Sequence, residues 1–336
     1  MAITKELKQA DKNTVLKLLK AVASLKLTVV CLIILAVLVV WGTVYQADHG
    51  LYQAQQKFFH SWFFLLFGFI PFPGTVLIMF ILFFNLVAVL FFRIGFKLAK
   101  IGNLITHLGL IVLLVGGFFT FYYSQESTLT LKEGETGNMS SSNRLWELAV
   151  WERNAKAGQS DADVYAVDTK GSRPGDVIHL EDLGLALQVK EYYGNCTAFA
   201  GSESALKTAE ISNASGIREL KGKPSEKEIE NNVAGGVFDI TPGPGQRQTL
   251  LLYGDDSHPT TMTVNNRTFL FSLRKKKFPL PLSLTLADFT VKFYPNSEIP
   301  RSYESKVTIK AGGEVERDVV ISMNKPLRYA DLTFFQ

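Results

Sequence analysis

Apolar residues are distributed unevenly along the chain, and that unevenness divides it in two. Up to Tyr123 long uncharged runs dominate, and beyond it short apolar stretches alternate with polar turns. Leu27–Tyr45 carries no charge and approaches the ~20 residues needed to cross a bilayer core. It ends in Trp41-Gly42-Thr43-Val44-Tyr45, an interfacial aromatic pattern and not the small-residue end of a cleaved signal peptide. Trp62–Phe92 is too long for one straight helix and too short for two spans. Pro71 and Pro73 divide it, because proline breaks a helix interior and restricts the residue before it. Phe58–Ile70 therefore reads as a short interfacial helix and Gly74–Phe92 as a second span, with Asn85 as its polar interior residue facing another helix. The third span is Ile101–Tyr123. In it Gly102, Gly109 and Gly116 recur every seven residues and share one face, with His107 nearly opposite.

From Ser124 onward, short runs of β-branched and aromatic residues predict strands. They are Ser127–Leu131, Leu145–Trp151, Leu185–Tyr193, Val237–Ile240, Gln248–Tyr253, Thr268–Leu273, Leu282–Tyr294, Lys306–Lys310 and Arg317–Met323. Turn-type clusters separate them at Gly171–Gly175, Thr241–Gly245, Asn265-Asn266 and Ala311–Gly313. Leu280, Leu282, Leu284 and Leu286 occupy even positions, whereas Phe289, Val291 and Phe293 occupy odd ones. A bulge near Ala287-Asp288 would keep both sets on the core face. Glu152–Asp176 and Gly201–Asn232 read as polar surface excursions, the second with a short helix near Ser225–Glu230.

The expected architecture is a membrane protein: an N-terminal bundle of three transmembrane α-helices plus an extracytoplasmic all-β domain, sandwich or barrel-like. Residues 1–26 form a basic amphipathic segment on the cytoplasmic surface, 27–123 the transmembrane region with an interfacial helix around 50–70, and 124–336 the β-rich domain.

Charge sets the orientation. Lys5, Lys8, Lys12, Lys17, Lys20 and Lys26 precede the first span, and Arg93, Lys97 and Lys100 lie between the second and third. The loop between the first two spans carries only Lys57. An excess of cations marks the cytoplasmic side, so the N-terminus is inside and everything after Tyr123 outside. A formal net charge of +4 gives no footing for nucleic acid. The two cysteines, Cys31 in a span and Cys196 far from it, are not a credible disulfide, and there is no CxxC or CxxCH.

Candidate chemistry centres on His107, six residues into the third span and so about 9 Å along it at 1.5 Å per residue. An ionisable side chain at that depth is a functional hypothesis by default, and a neutral imidazole is a common axial ligand of heme iron. The competing reading is a neutral histidine bonded to a nearby carbonyl or to Asn103. His49 and His60, in the outer loop, read as interfacial residues, and His179 and His258 as surface or core residues. The basic run Arg274–Lys277 reads as a solvated turn, with lipid phosphates or propionates as the alternative contact. No catalytic constellation emerges from spacing. The alternative to a heme-related role is a membrane-anchored extracytoplasmic binding or scaffold protein without heme chemistry.

Three ordered stretches resemble the ResB family of system II cytochrome c assembly. The first is Trp41-Gly42-Thr43 with Gln46, Gly50-Leu51-Tyr52 and Phe58-Phe59. Next come Thr106-His107-Leu108-Gly109 and Leu113–Gly117. The third combines Ser302-Tyr303-Glu304-Ser305, Asn324-Lys325-Pro326-Leu327 and Phe334-Phe335-Gln336. The resemblance implies an accessory subunit of a heme-lyase complex, not catalytic alone. It would work with a ResC-like membrane protein to carry heme b outward as a transient substrate for covalent attachment to the CxxCH motif of apocytochrome c. It further implies a thioredoxin-like thiol reductant among the partners, the bacterial cytoplasmic membrane as the location, and His107 as one axial ligand of the heme iron. ResB-like chains continue through a Tyr-Gln pair into a fourth span. Here Phe335 stands in place of that tyrosine and the sequence ends at Gln336, without the span.

Overall fold

The computed structural model describes residues 20–94, 101–153, 163–199, 211–213, 215–243, 246–312 and 314–336. The lysines before residue 20, Lys97 and Lys100 lie outside them, as do residues 154–162 and 201–210 of the two polar excursions. The chain divides into a helical unit, Met1–Gln125 with Glu226–Asn231, and a β unit formed by Glu126–Ser225 and Asn232–Gln336.

Among the described residues, three helices of the first unit are long and apolar enough to cross a membrane. They are α1 (Leu25–His49), α3 (Thr75–Val89, extended by a π-helical turn through Ile94) and α4 (Ile101–Tyr123). Between α1 and α3, the short α2 (Leu51–Ala54) runs into a π-helical turn at Gln55–Phe59, which closes with His60 N–H donating to the Gln55 carbonyl at 2.8 Å. The helix expected over Phe58–Ile70 is thus displaced toward the N-terminus. In its place β1 (Phe63–Leu66) and β2 (Ile70–Pro73) form an antiparallel hairpin. Pro71 and Pro73 account for the change: they carry no N–H, so a two-stranded edge accepts them where a helix does not. Phe67 and Gly68, at φ 53° and 84°, supply the positive dihedrals of the tight turn.

Side-chain packing joins α1 to this hairpin. Leu38, Phe58 and Phe64 are buried together beneath Trp41, Tyr45 and Phe72. Gly42 is required there, since a Cβ would lie 2.7 Å from the Phe59 ring. Deeper in the bundle Cys31 packs against Ile78 and Leu82 of α3. Asn85, buried on α3, faces another helix as expected. It accepts from Thr28 Oγ1 at 2.7 Å and donates to the carbonyls of Val22 at 2.5 Å and Ser24 at 3.2 Å. These carbonyls belong to the turn that opens α1, so a single amide ties the start of one helix to the middle of another.

The β unit is a two-sheet sandwich, the all-β class anticipated. One sheet has the order β5 (Val177–Leu180), β6 (Leu185–Tyr193), β10 (Gly235–Gly243), β11 (Gln246–Tyr253), β8 (Ile211–Ser212). The other runs β15 (Glu314–Ser322), β14 (Pro300–Ala311), β13 (Arg267–Phe293), β3 (Thr136–Glu152), β4 (Tyr165–Asp168), with β12 (Thr260–Val264) also on β13. Alternate residues fill the space between them: Leu148 and Val150, Leu187 and Val189, Phe238 and Ile240, Leu250 and Leu252, Phe269, Phe271 and Leu273. Asn265 and Asn266, at φ 51° and 64°, make the two-residue β12–β13 turn expected of that pair. Two further pairs, β7 (Cys196–Phe199) with β9 (Glu219–Gly222) and β16 (Leu327–Tyr329) with β17 (Leu332–Phe334), complete the described strands.

β13 merges two of the expected strands and serves two cores. Its first half packs in the sandwich. Leu282, Leu284 and Leu286 of its second half pack with Val307, Ile309, Ile321 and Leu327 in a separate cluster. Pairing to β3 is interrupted between Pro279 and Leu284, near the point where β14 takes over. The missing N–H groups of Pro279 and Pro281 fit that handover. The basic run Arg274–Lys277, expected as a solvated turn, lies inside this strand. Arg274 Nε donates to buried Glu147 at 2.8 Å, Lys276 pairs with Asp168 at 2.7 Å, and Lys275 donates to the Asn143 carbonyl at 2.8 Å while lying 4.3 Å from the Trp146 ring. Opposite strand residues and an aromatic ring satisfy the cations that a turn would have left to water.

Asn85→Leu removes both donors and the acceptor that hold α1 to α3, so it is expected to destabilise the helical unit by about 1–2 kcal/mol. Unfolding of the full-length protein in detergent, followed by helical circular dichroism, measures the change. A stability equal to wild type would remove the clamp from the account.

Candidate functional site

The site is built on α4, whose side chains show a single partly covered stripe. Leu104, His107, Ile111 and Leu114 are half-buried, and the residues between them are exposed. Spacings of three and four residues put the stripe on one helix face. Phe118 continues it at the outer end, edge-on to Phe80 of α3 at 5.8 Å. Gly102, Gly109 and Gly116 have nothing within 4 Å of where a Cβ would stand. His107 therefore looks into the bundle, and the glycine face is open.

His107 Nδ1 lies 2.9 Å from the Asn103 carbonyl oxygen, one turn earlier. A carbonyl can only accept, so this bond requires the proton on Nδ1. In the neutral ring Nε2 then carries the free lone pair. A backbone carbonyl that fixes the tautomer and angle of an imidazole is the usual support behind a histidine that binds metal. The donor set fits an axial ligand of heme iron, which needs one nitrogen from this chain. Among the described residues no group of three or more His, Cys, Asp or Glu converges as a separate metal site.

The other histidines have local engagements. His49 stacks on Tyr45 with centroids 3.8 Å apart, and its Nδ1 is 3.3 Å from the Tyr45 carbonyl. Lys57 Nζ lies 4.4 Å from the centroid of the same Tyr45 ring. His60 contacts Gln56 Nε2 at 3.1 Å and packs edge-on to Phe121 of α4 at 4.7 Å. His60 thus pins the outer end of the helix that carries His107, a contact that sequence spacing did not reveal. His179 is exposed on β5, and His258 bonds Ser257 at 3.0 Å on the surface.

Both cysteines are free and buried. Cys196 sits with Leu220 and Leu251 beneath Tyr193 and Tyr253, and burial pushes its thiol up to about 11, only partly offset by the Lys223 cation. Burial likewise raises Tyr192, Tyr193 and Tyr253. Such a thiol is protonated and covered at neutral pH, the opposite of a reactive exchange thiol.

Residues 227–336 match the ResB-like family. The match starts after the helices, so it takes in the third of the resembling stretches and not His107. A 54-residue stretch is 41% identical to the protein named cytochrome c biogenesis protein Ccs1 of Heterosigma akashiwo, in strain NIES-293 and again in strain CCMP452. That stretch is 16% of this chain and 13% of each relative's length.

The raised thiol makes a signed prediction. Between its ordinary value near 9 and about 11 the folded β unit retains a proton that the unfolded chain releases. The thiol's contribution is complete below that window and declines as pH rises through it. Denaturant titrations across the window should show wild-type stability falling with pH and Cys196→Ala falling less steeply, with the buried phenols supplying the remaining slope. Identical slopes would overturn the assignment.

Proposed function

We propose that this chain, whose residues 227–336 match the ResB-like family, serves cytochrome c biogenesis as the subunit that holds heme within the membrane for export. In this reading His107 Nε2 binds the iron of heme b, the transported substrate, and a ResC-like membrane protein supplies the opposite ligand. The N-terminus is cytoplasmic and the β unit lies on the periplasmic or extracellular side of a bacterial cytoplasmic membrane. There heme is passed to the reduced CxxCH cysteines of apocytochrome c, with a thioredoxin-like reductant keeping them reduced. The subunit binds and positions heme, and the thioether chemistry belongs to the complex.

One observation carries the proposal: the bond from His107 Nδ1 to the Asn103 carbonyl, on the partly covered stripe of α4, which in a neutral ring makes Nε2 the nitrogen with the free lone pair. The surrounding chain contributes orientation. The imidazole is fixed by backbone one turn away and needs no second side chain to set its tautomer. Neutral imidazole is also the form that costs least at membrane depth.

Purification of the chain with a ResC-like partner, followed by absorption spectra of the reduced complex, tests it. His107→Ala is expected to lose most of the bound heme, and added imidazole should restore a share of it to His107→Gly. Equal heme in wild type and His107→Ala would end the ligand role. Normal cytochrome c maturation after deletion of the chain would favour the scaffold alternative.

A further inference from the structure

The bulge in β13 falls where the change of phase placed it, between Leu286 and Asp288. It also does the job expected of it. Leu286 pairs with Val307 before the bulge and Phe289 with Ser305 after it, so both apolar sets lie on one face of the sheet. The expectation that fails is burial, because the core ends at the bulge. Beyond it Phe289 is 41% exposed, Phe293 53%, Tyr303 37% and, just past β15, Met323 53%. Val291, paired with Tyr303, is half-covered between them. Tyr294 and Ile299, in the turn that follows, are also exposed.

The opposite face of the same strands is polar. Thr290 bonds Asp288 at 2.9 Å, and Lys292 pairs with Glu304 at 2.6 Å. This end of the sheet is therefore amphipathic, with a face of aromatic and aliphatic side chains and Arg301 at the adjoining bulge. Exposed apolar surface of this extent on a folded domain marks an interaction site.

We propose that this face dips into the headgroup region of the bilayer. Two observations select lipid over a protein partner. Phenylalanine, tyrosine and isoleucine beside arginine and lysine are the composition of a membrane interface. The chain that carries the face also carries three membrane-spanning helices, so a bilayer is always covalently within reach.

Site-directed spin labelling of the full chain in bilayers of phosphatidylethanolamine and phosphatidylglycerol tests the idea. Labels go on Phe289→Cys, on Phe293→Cys and, as the reference on the polar face, on Thr290→Cys. The native cysteines are buried and separate from the face. At positions 289 and 293 collisions with dissolved oxygen should rise several-fold relative to position 290, and collisions with a water-soluble nickel chelate should fall several-fold. Equal nickel accessibility at all three positions would overturn the proposal. Shielding of 289 and 293 from both reagents would also overturn it, because it would identify protein, a second copy included, as the cover. Should Phe289→Cys disturb its stack on Tyr303, the more exposed Phe293→Cys decides alone, with thermal unfolding confirming that the β unit is folded.

Discussion

A polar group carried into a bilayer has no water to turn to, so each one has to find its partner inside the protein. The helical unit is organised by that requirement. Thr43, Thr106 and Thr120 each donate back to a carbonyl four residues earlier, at 2.8, 3.0 and 3.1 Å. His107 does the same through Nδ1. Asn85 has too many donors and acceptors to satisfy within its own helix, and it spends them on Thr28, Val22 and Ser24. Local back-bonding therefore leaves a helix independent, whereas Asn85, which reaches outside its own helix, joins α3 to the start of α1. α4 illustrates the converse. Its Thr106, His107 and Thr120 side chains bond within the helix, none of its residues is fully buried, and the rings of Phe118 and Phe121 pack on Phe80 and His60.

The β unit solves a different problem, that of filling two cores from one strand. Burial on β13 alternates with period two through Phe269, Phe271 and Leu273, and again through Leu282, Leu284 and Leu286. The parity changes between the two halves, and so do the partner strands. Charges occupy the joint. Glu147 would be costly in that position without Arg274, and Arg274 without Glu147 would add a further uncompensated cation to a run of four. The basic run is thus part of how the long strand passes from one core to the other.

The spans were readable from sequence because a membrane imposes one dominant rule, length of uncharged helix. The β class was readable because alternation survives in Leu185–Tyr193 and Gln248–Tyr253. The hairpin at Phe63–Pro73 was not, since it is apolar on both faces, with Phe63 and Leu65 exposed and Phe64 buried, and so leaves no hydrophobic period to detect. Short strands such as β4, β5, β7 and β9 escaped for a related reason: each has four residues, too few to display a pattern, and each takes its conformation from the strand beside it. Phe289 and Phe293 show the limit of phase arguments. Parity correctly assigned them a face, but whether anything covers a face depends on residues distant in sequence.

His107 was legible as an anomaly, and two explanations competed for it, a carbonyl-bonded neutral histidine and a ligand. The geometry is compatible with both. The hydrogen bond to Asn103 that makes an unliganded imidazole tolerable in a helix also selects the tautomer in which Nε2 can bind iron. A histidine needed only for structure would be equally served by bonding through either nitrogen. What distinguishes the two roles is where the unbonded nitrogen lies. His107 lies on the partly covered stripe of α4, and Gly102, Gly109 and Gly116 have open space where a Cβ would stand. Under the proposed function, a flat, largely apolar macrocycle held from that stripe would gain contact with apolar neighbours, and the polar atom asked of this chain would be the His107 nitrogen left unbonded by Asn103.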